Sequence, residues 1–420
     1  MTVHDDRPSS LKVLSIATVV AGLSGFAVIL LAARTFDSDT FRAGEFAAYW
    51  GFFFAATGIL TGLTQETTRA VRTQHTTAAQ HSQQKLARPF VVGVVLSALT
   101  FALVLISSPV WLHRLVSEQH TNALVLLAVG LASYGIQATL AGLISGHHLW
   151  SRLAALIMLD TASRMVLAGV AWWFNLGLLA FFIVTVLGAV SWIVILALYA
   201  DVRAILAATA DVAPREFLTQ AGYAMTASGA TAIVITGFPT IVKLTHPEAA
   251  VGAAISYAVI LTRAPLLLPL QQFQSALIVR FVEHQHNLLR ALLRPAAVIW
   301  AVGIGGAGLA WLIGPWLFRI LLPASFLTSG ALLAMLTIGA TCTASLMLTG
   351  TAALAVNQHQ LYVTGWVVAT IVTIGIMFVP LPLSTVSVLS LIGGQTLGLG
   401  IHIFGLLRVA KQATPVQSVH

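Results

Sequence analysis

Charge is what this sequence has least of. Only 8% of its 420 residues are Asp, Glu, Lys or Arg, against roughly 25% in an ordinary soluble domain. So few charged side chains exclude a soluble enzyme and a nucleic-acid module. The single cysteine, Cys342, stands in an apolar run, which excludes an internal disulfide and a cysteine metal cluster. No glycine precedes a lysine, so a phosphate loop ending in Gly-Lys-Ser/Thr is excluded. Pairs of carboxylates within apolar runs are missing, as are nucleophile–base constellations, and the chain reads as no enzyme.

What is there is apolar. Hydrophobic residues make up 58% of the chain, about 244 side chains, and a membrane span takes about 20. Division gives about twelve spans, and the mean hydropathy of +0.92 agrees. Apolar runs bounded by charge or turn residues lie near 13–33, 46–66, 89–112, 122–146, 153–174, 176–200, 218–242, 249–270, 295–318, 329–356, 361–380 and 383–407. The run from Val13 to Ala33 is too long for a signal-peptide core and reads as the first span. Leu277 to Val282 either extends the eighth helix or lies along the interface. The fold class is all-α, a polytopic membrane protein of the cell membrane.

The formal charge of +8 is read against the positive-inside rule. Fourteen Lys/Arg, from Arg7 to Lys411 and including Lys85, fall on one side of the twelve spans. Five (Arg34, Arg42, Arg114, Lys243, Arg319) fall on the other. Both termini are therefore expected in the cytoplasm. The halves also resemble each other at an offset of about 208 residues. Pro109, Trp111 and Arg114 match Pro315, Trp316 and Arg319, and Gly142 matches Gly350. The expected division is an N-terminal lobe over 1–210 and a C-terminal lobe over 211–420, each with six spans. Parallel repeats of this kind are typical of transporters with a midplane site.

A charged side chain at a span centre costs about 2.5–3.5 kcal/mol on insertion scales, so the exceptions mark candidate sites. Arg263 lies midway along the eighth span with no acid within helical reach. Pro265 and Pro269 follow it, so a bend is expected there, and the unpaired charge points to a wet cavity holding an anion. Asp160 and Arg164 share a face of the fifth span at i and i+4. They read either as a neutralising pair or as cavity groups, with Arg164 on an anionic substrate. Arg34 ends the first span on the outer side, where it can also snorkel to the interface. Glu66 ends the second span near Arg69 and Arg72 and is a candidate coupling acid. His147, His148, His284 and His286 sit at span edges without ligand spacing, so neither a metal nor a cofactor is expected.

Two segments carry a family resemblance. "GLSGFAVILLAARTFDSDTFRAGEFAAYWGFFFAATGILTGLTQETTRAV" resembles the start of polysaccharide-export flippases of the Wzx type. "LTRAPLLLPLQQFQSALIVRF" resembles their eighth-span region, especially in actinobacteria. The superfamily, called MOP, also holds MurJ-type lipid II flippases and MATE exporters. The resemblance implies two pseudo-symmetric six-helix lobes around a central cavity, working by alternating access. It implies a polyprenyl-phosphate- or pyrophosphate-linked glycan as substrate, for cell-surface polysaccharide assembly, and glycosyltransferases or a polymerase as partners. Arg263 matches the eighth-span arginine of such proteins and Arg34 the one ending the first span; Arg164 with Asp160 is a looser match. The chain stops at twelve spans, without the two further C-terminal helices of MurJ-type proteins. The alternative expectation is a MATE-like, cation-coupled exporter of small amphipathic molecules.

Overall fold

The computed structural model describes residues 7–37, 39–77, 86–248 and 251–413. Lys85, counted for orientation, lies outside the described residues, as do the side chains of Arg7, Lys12 and Lys411. Sixteen α-helices run in the order α1 Arg7–Thr35, α2 Thr40–Thr77, α3 Pro89–Leu115, α4 His120–Gly146, α5 Trp150–Trp173, α6 Gly177–Leu187, α7 Ser191–Leu198 and α8 Ala200–Ala204. They continue as α9 Pro214–Ile235, α10 Phe238–Thr245, α11 Gly252–Glu283, α12 Leu288–Leu312, α13 Gly314–Leu321, α14 Gly330–Ala355, α15 His359–Ile376 and α16 Leu383–Ala413. No strand occurs among the described residues. Backbone groups in hydrocarbon must be paired within their own segment, which selects helices.

Eleven helices are long and apolar enough to cross a membrane, and twelve if one bent pair counts as a single span. Their outer faces are apolar. On α3, Ile106 is 78% and Val110 76% exposed, a pattern that fits a lipid solvent and not water. Left-handed asparagines make two of the short joints. Asn175 (φ 50°) turns α5 into α6, and Asn357 (φ 58°) ends α14; Asn reaches this region at small cost because its side chain bonds locally.

Several helices depart from the expected spans for readable reasons. α2 and α11 run on past the expected ends at 66 and 270, so Leu277 to Val282 belongs to α11. The expected ninth span, 295–318, stops at Leu312, where Gly314-Pro315 starts a separate helix. The expected sixth span is interrupted by a 3-10 turn at Gly188–Val190. The expected seventh span is broken, with α9 and α10 meeting at 69°.

The chain forms two compact units, residues 1–232 and 233–420, with the division inside α9. In the first, α2 and α3 pack on α4, α1 packs on α5, and α6 packs on α4 and α5. In the second, α11 and α12 pack on α14, while α16 packs on α14 and α15. The packing of α2 and α3 on α4 thus recurs as α11 and α12 on α14, and that of α6 on α4 and α5 as α16 on α14 and α15. Aromatic rings fill the first core: Phe181 stands edge-on to Phe36 and Phe46, at 5.4 and 5.3 Å between centroids. Within the first unit, α9 lies close against α2 because glycines face it. A Cβ at Gly58 or Gly62 would collide with Ala232 or with the backbone of Ala224 and Met225, the small-residue contact common between membrane helices.

Candidate functional site

In the first unit the chemistry collects around the interruption between α6 and α7. Asp160 and Arg164 lie one turn apart on α5 and form an ion pair, with 18% and 8% of their side chains exposed. The guanidinium does more than neutralise the acid. Its Nε donates to the Thr185 carbonyl at 3.0 Å, whose regular helical donor, the Ala189 N–H, lies inside the 3-10 turn. The turn's own Ala189 carbonyl accepts from Ser133 Oγ at 2.8 Å. Gln137 of α4 spans the gap, donating to Asp160 Oδ2 and accepting from the Trp192 N–H, both at 3.3 Å. Trp192 Nε1 returns to Ser133 Oγ at 2.9 Å. Gly188 lies so close to Asp160 and Arg164 that a Cβ there would overlap both. The rings of Phe53 and Phe54 stand 5.9 and 5.2 Å from Arg164 Cζ. Arg164 Nη2 is buried without a hydrogen-bond partner among the described residues.

The second unit holds Arg263, 4% exposed, on α11. No carboxylate pairs with it among the described residues. Its Nη1 donates to the carbonyls of Val234 and Ile235, at 2.8 and 3.1 Å. These are the last carbonyls of α9, orphaned where the helix breaks. The Phe238 ring lies 5.4 Å from its Cζ. Nε and Nη2 are buried and have no hydrogen-bond partner among the described residues. α11 is a single helix through Pro265 and Pro269, and a break lies in α9–α10, the element that Arg263 touches. Lys243 of α10 is also buried, 8% exposed, and donates to the Pro247 carbonyl at 3.0 Å.

The remaining candidates fall elsewhere. Arg34 is exposed on the last turn of α1. Glu66 is buried and held by Arg69, which donates to it through Nε at 2.9 Å and Nη2 at 2.6 Å. Arg69 also bonds Asp211 at 2.9 Å and Gln220 at 2.6 Å. The segment before α9 is further fixed by backbone pairing, Ala87 N–H to Val212 O and Ala210 N–H to Ala87 O. Among the described residues no group of three His, Cys, Asp or Glu could hold a metal ion.

Reading the sequence missed Gln137, Ser133, Asp211 and the break itself. Gln137 is uncharged, and its partners are 23 and 55 residues away. The break did leave a signal, Gly237-Phe238-Pro239 inside an apolar run.

No family model matches the chain. Two proteins of Mycobacterium tuberculosis, the uncharacterized proteins Rv3630 and Rv1510, are similar over most of its length. Identities are 37% over 393 residues and 38% over 395, covering 93% of this chain and 90% of each relative. Among solved structures, a multidrug resistance MATE family transporter of the MOP superfamily in its inward-facing conformation superposes with a TM-score of 0.74. Identity there is 13%, over 97% of this chain and 100% of that one. A MOP superfamily transporter from Pyrococcus furiosus gives 0.65 at 14% identity, over 97% of each chain. At these identities the shared property is the fold.

Proposed function

We propose that this chain, which belongs to the same family as the mycobacterial proteins Rv3630 and Rv1510, is a flippase for a lipid-linked glycan. The substrate would be a sugar or oligosaccharide on polyprenyl phosphate or pyrophosphate, moved across the cell membrane by alternating access. The membrane fold of MOP superfamily transporters supports transport. One observation carries the choice of substrate: among the described residues the buried Arg263 guanidinium has a free Nε–Nη2 edge and no counter-ion.

The charge balance around it favours an anion. After residue 232 the chain has only two acids, Glu248 and Glu283. Both are exposed and outside the spans. Arg263 and Lys243 are therefore the buried charges of the second unit, and a cation would be repelled. In the first unit Asp160 is occupied by Arg164 and Glu66 by Arg69, while the buried Glu45 accepts from the Ser117 N–H. For the Pyrococcus furiosus transporter, reverse polarity of the binding pocket suggests a different function, so this fold accommodates a pocket of changed sign.

The experiment is reconstitution. Proteoliposomes with the purified chain should translocate a fluorescent polyprenyl-pyrophosphate sugar, and empty liposomes should not. Efflux of a cationic drug without movement of the lipid would favour the MATE-like exporter and overturn this reading.

A further inference from the structure

The geometry points to Pro239 as a positioning residue, acting through Arg263; this rests on the reading of Arg263 as the headgroup contact. In a helix the N–H of residue 239 would bond the carbonyl of residue 235. Proline has no N–H, so the Ile235 carbonyl is left without a donor. The preceding carbonyl, of Val234, loses the Phe238 N–H to the 69° break. Both carbonyls are then taken by Arg263 Nη1, at 2.8 and 3.1 Å.

This fixes how the guanidinium is turned. Nη1 is committed to the broken helix, and one face lies toward Phe238. What remains is the side-on edge, Nε with Nη2, buried and unpaired among the described residues. Two parallel N–H bonds on that edge match two oxygens on one centre, as in a phosphoryl group or a carboxylate. A lysine has no such fork and could not hold the helix end and a two-oxygen ligand together. The break in α9–α10 is thus the device that presents a bidentate oxyanion seat. A uronic acid would offer the same two-oxygen face as a phosphoryl group, so the probe should carry a neutral sugar.

The test uses the full chain in proteoliposomes with fluorescent polyprenyl-pyrophosphate N-acetylglucosamine. P239A returns the N–H, lets α9 continue into α10 and releases Nη1; P239G returns the same N–H and is the second variant. Spin labels at Tyr223→Cys and Glu248→Cys, in a Cys342→Ser background, follow the break. The expected result is a longer label distance and a KM raised at least tenfold, with kcat within twofold. R263A should raise KM at least as much, and P239A should add nothing to it, because coupled residues are non-additive. KM unchanged in both Pro239 variants, or their full effect persisting on top of R263A, overturns the positioning role and leaves the reading of Arg263 standing. A wild-type KM in R263A overturns that reading itself.

Discussion

Arg164 reaches Thr185 through a single 3.0 Å hydrogen bond, from Nε to the backbone carbonyl. Arg263 makes the same kind of contact with Val234 at 2.8 Å. In each unit a buried arginine holds carbonyls of a neighbouring helix beside a break in that helix. The difference is the counter-ion, since Arg164 carries Asp160 beside it and Arg263 has no carboxylate among the described residues. The first arrangement is internally neutral, whereas the second leaves charge for a ligand.

Removing one partner of a buried ion pair strands the other. Asp160→Ala should therefore lower stability by about 3–5 kcal/mol. The double variant Asp160→Leu/Arg164→Met should recover most of the loss, because apolar replacement of both charges removes the desolvation cost. Unfolding in detergent micelles measures both. Equal losses in the single and the double variant would contradict the pairing.

Gly188 has no room for a side chain. Gly188→Ala pushes a methyl group into Asp160 and Arg164 and should cost about 1–3 kcal/mol, as overpacking does. Gly169→Ala, on the same helix as the pair, meets nothing within 4 Å and is the control. It should be neutral or stabilise by about 0.5–1 kcal/mol. Unfolding midpoints of the two variants give the comparison.

Arg69 ties α2 to the segment before α9 through Glu66, Asp211 and Gln220. Arg69→Ala should cost about 1–3 kcal/mol, because Arg69 is 42% exposed but its loss leaves Glu66, 6% exposed, without its donor. The local effect should be larger. Limited proteolysis of the detergent-solubilised protein should cut between 208 and 213 faster in the variant, with other sites unchanged.

The orientation argument is tested by fusions. A green fluorescent protein after residue 413 should fluoresce, and alkaline phosphatase joined between α3 and α4 should be active. The opposite pattern would invert the whole assignment.

The span number was legible because hydrocarbon thickness sets a run length, and hydropathy counts such runs well. The i, i+4 spacing of Asp160 and Arg164 made their pairing legible too. Hydropathy does not see hydrogen bonds, so Gly237 and Pro239 left no dip in an apolar run and the α9–α10 break went unread. Arg263 stood out as a charge in the wrong solvent. Its partners did not, because Val234 and Ile235 contribute only backbone carbonyls, 29 and 28 residues upstream. Arg34 looked equivalent by charge and position, but α1 ends where that side chain faces outward.

The central claim is that the second unit's unpaired guanidinium selects an anionic headgroup. The most direct measurement is translocation by the wild-type chain of three lipids with one tail and one sugar, linked through pyrophosphate, phosphate or a neutral ether. The account predicts competition and transport for the two phosphorylated lipids, neither for the ether, and loss of that discrimination in Arg263→Ala. Equal transport of all three by the wild type, or discrimination undiminished in the variant, would contradict it.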